Sequence, residues 1–543
     1  MVLSAKLFFD NHLEMRSDST TNRQNGGVEN GVNDSSLPSP KQQPQPQAGL
    51  NVEWSEDRGR LSRMGGLAYF AQFLQSTGMF EELVAHCPLS YDSNNAPSKR
   101  DVLGTILLSA LQGHTRYAHM ASLAGSQLDA QTLGMSKIPS EDSIRGALGK
   151  LAASPEPTQR WLRACFDRLG AGSLEVPWVL DIDVTVKPLY GKQEGAVVGY
   201  NPAKPGRPSH AYHSFWVAHL RLCLGVLVRP GNETAGLHGL KPLMQWLDRT
   251  PQQQWPEFVR GDIGYGTQTW MLELESKGVR YLFKLRQSTK VKELIAFCEL
   301  ESEWQQGLGK WQYCESQLQL TGWDCPRRVV IYRRAHTRKA PPKKPAMALE
   351  GRCAQQAELI NLELVEDAAL TYEYAVYVTD LERDASQVRG LYNPRGDNEN
   401  CYDELKNHWG WGGFTLRDLA RSELMANLVA LIYNLWSVYI KLVDPLVARE
   451  AITSRPMYLM HPAKVSTHQS QRTLTIFCAH SEIKQIQERL EEAAQRLKNW
   501  AQLTAEQLKK ASVWMRVITH ILLNHHTIGA GDSRAPPALT TAT

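Results

Sequence analysis

Residues 176–191, VPWVLDIDVTVKPLYG, form the point at which the chain changes from a helical to a strand-like pattern. Polar and apolar residues alternate here and β-branched residues are frequent, which predicts a β-strand. Period two directs Asp181 and Asp183 to one face of this strand and the aliphatic residues beside them to the other. A carboxylate pair in so apolar a strand is costly unless a partner, water or metal binds it. The stretch therefore predicts a sheet and a candidate site together.

The segments that follow extend this sheet. Strands come first and then alternate with helices, which predicts an α/β fold with a mixed sheet and flanking helices. The predicted elements are strands at 210–220 and 223–231, a helix at 236–249, a strand at 258–262, a helix at 267–278 that Gly278 ends, and a strand at 279–286.

The rest of the chain divides by composition and periodicity. The apolar spacing around Ile144, with Ser140 as N-cap, is typical of the helical region before the sheet. Residues 17–50 are rich in Ser, Asn, Gln, Gly and Pro and predict disorder. The predicted organisation is a disordered tail at 1–50, a helical N-terminal domain at 55–170, a mixed-sheet domain at 175–445 with a β-rich insertion at about 303–380, a helical C-terminal region at 470–525, and a disordered tail at 529–543.

Composition excludes several classes of protein. The 543 residues are 42% hydrophobic, with a net charge of +4 and nine cysteines. No Cys-x-x-Cys pair is present, which argues against a zinc finger or a disulfide scaffold and suits a reducing cytoplasm. The longest apolar run, residues 424–436, contains Asn427 and Asn434 and predicts a buried helix instead of a membrane span. No membrane association is expected.

Two further acidic residues have suggestive surroundings. Asp262 ends the short strand FVRGD, where sites collect in α/β folds, although a strand-ending Asp is commonly only a turn or cap residue. In LYNPRGDNENCYDELKNHWG, residues 391–410, Glu399 and Lys406 are seven residues apart and share one helical face, with Arg395 one turn before Glu399. That face suits a metal ion and phosphate, or alternatively a salt-bridged helix exposed to solvent.

One carboxylate of the pair Asp181 and Asp183, together with Asp262 and Glu399, makes three carboxylates on two predicted strands and one predicted helix. A two-metal phosphoryl-transfer site requires such a set. Two divalent cations roughly 3.5–4 Å apart would activate the attacking oxygen and stabilise the leaving oxygen. Mg²⁺ or Mn²⁺ suits an all-oxygen ligand set.

At these residues the chain resembles a known family. The pattern Tyr392-x2-Arg395-x3-Glu399-x6-Lys406 is similar to the Tyr-Arg-Glu-Lys signature of DDE transposases of bacterial insertion sequences. DIDVT and RGDIGYG resemble the first-Asp and second-Asp motifs of that class. The resemblance covers about residues 176–441, and segment 191–210 resembles one branch closely.

The resemblance implies a ribonuclease-H-like catalytic domain. Asp183, Asp262 and Glu399 would be the catalytic and metal-binding triad for two Mg²⁺ or Mn²⁺ ions. Asp183 is preferred to Asp181 because Thr185 follows it with family-like spacing, and Asp181 remains the alternative.

Tyr392, Arg395 and Lys406 would contact DNA under the same resemblance. The partners would be double-stranded DNA, as terminal inverted repeats and target DNA, and a second copy of the chain in a homodimer on DNA. The N-terminal domain would recognise the repeats, with the helix around Ile144 as a candidate. A bacterial cytoplasm, in association with the nucleoid, is the expected location.

The function so implied is cutting of the element's ends and joining of the 3′-hydroxyls to target DNA. Two alternatives remain, a nuclease or resolvase of the same fold without strand transfer, and a non-catalytic DNA-binding descendant.

Four other features have a functional and a structural interpretation. Residues 326–345 contain eight Lys or Arg and no acidic residue, which suits DNA phosphates or a solvated loop. One of Trp304, Trp311 and Trp323 could stack on a displaced base, although core packing is favoured for each. The histidines at 210, 213 and 219 favour packing or hydrogen bonding over zinc. The apolar face of residues 482–523 favours packing on the protein's own core over self-association.

Overall fold

In the computed structural model, which describes residues 59–336, 371–507 and 511–529, the chain opens with a helical region. Ser140 caps the fifth helix, where its hydroxyl accepts a hydrogen bond from the Ser143 amide at 3.3 Å, and Ile144 is buried as predicted. The elements are β1 (Leu61–Ser62), α1 (Leu67–Thr77), α2 (Met79–Ala85), α3 (Lys99–Leu111), α4 (Gln127–Thr132), α5 (Glu141–Ala152) and α6 (Pro155–Gly170).

The middle of the chain builds the sheet. Its strands are β2 (Val179–Pro188), β3 (Val197–Val198), β4 (Pro208–Val217), β5 (Leu222–Pro230), β6 (Phe258–Gly261), β7 (Arg280–Lys284), β8 (Gln305–Gln306), β9 (Trp311–Leu318), β10 (Arg327–His336) and β11 (Thr371–Thr379). The helices among them are α7 (Leu240–Arg249), α8 (Gln268–Lys277) and α9 (Thr289–Glu301). The strands and helices predicted between residues 176 and 286 are confirmed, and Gly278 ends α8 with a φ of 71°.

The strand order explains why β2 is central. From one edge the order is β5, β4, β2, β6, β7, β11, β10, β9 and β8, and the short β3 also pairs with β4. Strands β2, β6 and β7 are parallel to one another, whereas the other pairings are antiparallel. The predicted β-rich insertion is thus a continuation of the main sheet, which it joins where β11 pairs with β7.

The C-terminal part is mostly helical and contains a hairpin that the sequence did not reveal. Its elements are α10 (Ala385–Tyr392), α11 (Gly396–His408), α12 (Leu419–Val443), α13 (Ala451–Tyr458), β12 (Ala463–His468), β13 (Gln471–Ile476), α14 (Ile483–Gln507) and α15 (Ala511–Gly529). The prediction of helix from residue 470 was wrong over β13, which pairs with β12 and, through it, with β1. The hairpin turn places Gln469 and Ser470 at φ 47° and 67°.

Helix α12 forms the centre of the core. Its side-chain amides bind the free edge of β5: Asn427 bonds the Val226 amide and carbonyl at 3.1 and 2.9 Å, and Asn434 bonds those of Cys223 at 2.9 and 2.7 Å. By length and composition α12 could cross a membrane, but 89% of its most apolar window is buried inside the protein. The prediction of a buried helix is confirmed, and its two asparagines serve as partners for an edge strand.

Helices from both ends of the chain pack against α12. α3, α5 and α6 contact it from the N-terminal side, and α14 and α15 contact it from the C-terminal side. On α14, Ile486, Leu490 and Leu497 are buried, which confirms that this face packs on the protein's own core. The described residues form one compact unit, so the separation into N-terminal, catalytic and C-terminal domains stays a prediction. The predicted tails at 1–50 and 529–543 lie outside the described residues, except for Gly529, which ends α15.

Candidate active site

The parallel pairing of β2 with β6 creates the candidate site. In this register Asp181 lies opposite Arg260, so Asp183, two residues farther along β2, is close to Asp262 at the end of β6. The segment between α10 and α11 then brings Arg395 against both carboxylates. Three separate parts of the chain therefore meet just beyond the parallel pairing of β2 with β6, at the carboxyl end of β6, where sites form in α/β folds.

Asp181 forms a structural ion pair with Arg260. Both its oxygens accept hydrogen bonds from Arg260, at 2.5 Å from Nε and 2.7 Å from Nη2. The exposed fraction is 1% for the Asp181 side chain and 3% for that of Arg260. Arg260 also donates to the Leu391 carbonyl in α10. This bidentate pair engages both oxygens of Asp181 and has almost no access to solvent, so it is a structural contact.

Asp183 is held differently. Its Oδ2 lies 2.8 Å from Arg395 Nη2, and the same nitrogen lies 4.0 Å from Asp262 Oδ2. The Asp183 Oδ1 accepts the Val184 amide at 2.8 Å. One guanidinium thus stands between two carboxylates as their shared counter-ion. This geometry favours Asp183 over Asp181 as the member of the site, as the sequence interpretation preferred.

Burial sets the electrostatics of Asp183. Loss of water raises its pKa from 3.8 to about 7, with Arg395 lowering it and the charge of Asp262 raising it. Burial also raises the pKa of Tyr265 and Tyr402, whose neighbours include the same carboxylate. Two phenols therefore stay neutral beside Asp183, and its charge depends on the cation that faces it.

The loop after β6 exposes Asp262. Its Oδ1 accepts the Gly264 amide at 2.8 Å, while its side chain remains 43% exposed. A Cβ on Gly261 would lie 2.8 Å from the Tyr265 ring, so only glycine allows this ring to pack under the turn.

The structure brings the other predicted site residues together only in part. Tyr392 is buried with its ring centroid 4.6 Å from that of Tyr377, so it does not face solvent. Lys406 is half-buried, and burial lowers its pKa, an effect that the charges of Asp403 and Asp183 partly oppose. Glu399 is exposed on α11. Within the described ranges no group of three or more His, Cys, Asp or Glu side chains could hold a metal ion, so Glu399 does not join Asp183 and Asp262 in this conformation.

The donor set nevertheless fits a divalent cation at two of its three positions. Asp183 and Asp262 are hard oxygen donors already turned toward one positive group. The guanidinium of Arg395 stands where a cation is required. Its Nε is buried without a hydrogen-bond partner among the described residues, so this placement leaves part of the side chain unsatisfied.

The basic strand of the insertion is neutralised within the protein. Each of its four described arginines forms an ion pair: Arg327 with Glu275, Arg328 with Glu315, Arg333 with Glu299 and Arg334 with Glu373. The arginines of β10 are thus already ion-paired, and the remaining basic residues, 337–345, lie outside the described residues, so a DNA contact of this segment stays a prediction.

The tryptophans and histidines have structural positions. Trp311 and Trp323 are buried, and Trp304 packs beneath the Arg333 guanidinium at 4.0 Å. His210 and His213 are buried and donate to the carbonyls of Glu194 and Glu233 at 2.7 and 2.8 Å. These positions favour packing and hydrogen bonding, as expected, over a zinc site.

Comparison with known proteins identifies the family. The family described as "Transposase DDE domain group 1" matches residues 45–499. The chain belongs to this family. It is accordingly a DNA transposase by family, an enzyme class that acts on DNA with divalent metal ions. No curated protein sequence matches the chain significantly.

One similar solved structure is the piggyBac transposase in a synaptic complex with hairpin DNA. It is 12% identical, with a TM-score of 0.34 over 84% of this chain and 85% of that chain. At this TM-score no feature of the fold or the site is inferred from it.

Proposed function

We propose that this transposase cuts the ends of a bacterial insertion sequence and joins the freed 3′-hydroxyls to target DNA. Asp183, Asp262 and Glu399 would hold two Mg²⁺ or Mn²⁺ ions. The observation that carries the proposal is the convergence of Asp183 and Asp262 on Arg395, the arginine of the Tyr-Arg-Glu-Lys pattern. The order of strands around β2 is consistent with a ribonuclease-H-like catalytic domain.

The residues of the chain itself explain how DNA would reach the carboxylates. Arginine binds phosphate as readily as carboxylate, through the same planar fork of donors. Arriving DNA offers Arg395 a phosphate partner, and this exchange frees Asp183 and Asp262. Lys406, half-buried near Asp183, adds a second cation for the DNA backbone.

Glu399 lies one helical turn after Arg395, so a displacement of this segment that releases Arg395 from Asp183 would also move Glu399. The metal ions, once bound, would activate the attacking oxygen and stabilise the leaving oxygen at phosphorus. The protein would contribute position, charge and exclusion of water, without a covalent intermediate. Joining two ends to one target requires two active sites, which supports a homodimer on DNA.

The decisive experiment is a strand-transfer assay on the full chain. Purified protein is mixed with Mg²⁺, duplex DNA taken from both flanks of the coding region, and supercoiled plasmid. Integration of the flanking DNA into plasmid is the expected result. Cleavage without integration would replace the proposal by a nuclease, and the absence of cleavage with either Mg²⁺ or Mn²⁺ would replace it by a non-catalytic DNA-binding protein.

Variants test the three carboxylates separately. Asp183→Asn, Asp262→Asn and Glu399→Gln should each abolish cleavage while end binding in a mobility-shift assay persists. Glu488→Gln is the matched control, because Glu488 is an exposed glutamate on helix α14. Retained cleavage in Glu399→Gln would remove Glu399 from the site, and lost cleavage in the control would show that the assay reports folding.

A further inference from the structure

The loop between β2 and β4 carries an exposed aromatic ring with two cations over it. Tyr190 is 69% exposed. The Lys204 Nζ lies 5.2 Å and the Arg207 Cζ 4.8 Å from its ring centroid, and Lys204 also donates to the Tyr190 hydroxyl. We call these three residues the Tyr190 cluster. Its two positive groups share one small area of surface.

The loop that presents this cluster is firmly anchored. The Glu194 amide donates to the Arg417 carbonyl at 2.7 Å, and the Glu194 carboxylate accepts the Leu419 amide at 2.9 Å at the start of α12. Gly199 packs so closely on Gly231 that an added Cβ would lie 1.8 Å from the Gly231 oxygen. An anchored loop loses little entropy on binding a ligand, so the cluster is organised in advance.

Local turns fix the two cations. The buried Asn201 accepts the Lys204 amide through Oδ1 at 3.0 Å, and its Nδ2 has no partner in the described part of the chain. Gly206, at φ 75°, turns the backbone so that Arg207 precedes β4. Lys204 and Arg207 therefore lie in an ordered turn beside Tyr190.

The charges of the cluster are uncompensated. Neither Lys204 nor Arg207 forms an ion pair with an acidic residue among the described residues, and both are exposed. The four arginines of β10, by contrast, each have an acidic partner. Unpaired cations held together on the surface are the groups that an anionic polymer would neutralise.

Strand β2 connects the candidate site with the cluster. It continues from Asp183 to Pro188, and the Leu189 amide still donates to the Pro208 carbonyl at 2.8 Å, so the ladder extends to the residue before Tyr190. Seven residues of strand span at most about 23 Å. At 3.4 Å per base pair, that distance corresponds to about seven base pairs of a duplex.

From this geometry we propose that the Tyr190 cluster is a DNA-backbone contact outside the active site, which binds phosphates within about seven base pairs of the scissile bond. The inference rests on the proposed function, since it assumes that DNA occupies the site at Asp183. Lys204 and Arg207 supply the charge, and the Tyr190 ring holds both cations in place. The contact serves position and affinity and takes no part in the chemical step.

Salt-dependent DNA binding tests the proposal. Binding of the full chain to double-stranded DNA of arbitrary sequence is measured by fluorescence anisotropy at several salt concentrations. Each lost phosphate contact reduces the slope of log K against log salt by about 0.9. Lys204→Gln/Arg207→Gln should thus reduce it by about 1.8, and Lys204→Arg/Arg207→Lys should keep the wild-type slope.

The matched control is Lys484→Gln/Lys498→Gln, which removes the same charge from two exposed positions on α14. A slope for Lys204→Gln/Arg207→Gln equal to that of this control would overturn the inference. Strand-transfer activity is measured in parallel. If the wild-type protein integrates DNA but Lys204→Gln/Arg207→Gln keeps the wild-type salt slope, the inference about the Tyr190 cluster is wrong and the proposed function is unaffected. If the wild-type protein binds no DNA, both the proposed function and the inference about the Tyr190 cluster are wrong.

Discussion

Two aspartates on one face of β2, two residues apart, both face an arginine and have different roles. Asp181 forms a bidentate pair with Arg260, and neither side chain is more than 3% exposed. Asp183 has one close contact to Arg395, which it shares at longer range with the half-exposed Asp262. A closed pair ties β2 to β6 and α10, whereas an open, shared pair can exchange its cation for another. Both residues are buried aspartates, so residue type and burial do not distinguish the two roles. The number of contacts that each carboxylate makes with its arginine does.

Breaking the closed pair should have the largest effect on stability. Asp181→Ala leaves the Arg260 charge buried and uncompensated, which should lower the free energy of unfolding by about 3–5 kcal/mol. Chemical denaturation followed by tryptophan fluorescence measures this. Asp181→Leu/Arg260→Leu should cost less than the single change because no charge remains buried. A double variant less stable than Asp181→Ala would show that the pair acts through packing.

The open pair of Asp183 and Arg395 should make the free energy of unfolding depend on pH. The folded-state pKa of Asp183 is raised from 3.8 to about 7, so its contribution to stability is fully present below pH 3.8 and is lost as the pH rises through 7. Relative to Asp183→Asn, wild-type protein in EDTA should lose stability between pH 4 and pH 7. Parallel curves of unfolding free energy for the two proteins would contradict the raised pKa.

Asp262 should show the smallest change in stability. Its side chain is 43% exposed and its distance to Arg395 is 4.0 Å, so Asp262→Asn should change the free energy of unfolding by no more than about 0.5 kcal/mol. The same variant should nevertheless lose cleavage. Isothermal denaturation and the cleavage assay on one preparation test both statements, and a large loss of stability would place Asp262 with Asp181 instead.

The sequence predicted the features that depend on local pattern. The alternation in β2, the glycine that ends α8 and the capping serine of α5 each depend on residues close together in the chain, and each is confirmed. The hairpin of β12 and β13 escaped prediction because Gln469 and Ser470 occupy its left-handed turn, where Gly or Asn is the usual signal.

Side-chain partners escaped prediction for a different reason. Arg260 lies 79 residues from Asp181, and nothing near either residue identifies the other. Family-like spacing singled out Asp183, and the contacts of Arg395 give that preference a physical basis. Among the described residues Glu399 does not join the two aspartates, and no sequence spacing determines how its helix is placed relative to β2 and β6.

Helix α12 has a consequence for protein engineering. Helices from the beginning and the end of the chain and the edge of the sheet all rest on this one 25-residue rod. Replacing the N-terminal helices with those of another protein would therefore disrupt this shared core and expose the apolar surface of α12. New target preferences are better sought by changing solvent-facing side chains one at a time than by exchanging whole modules.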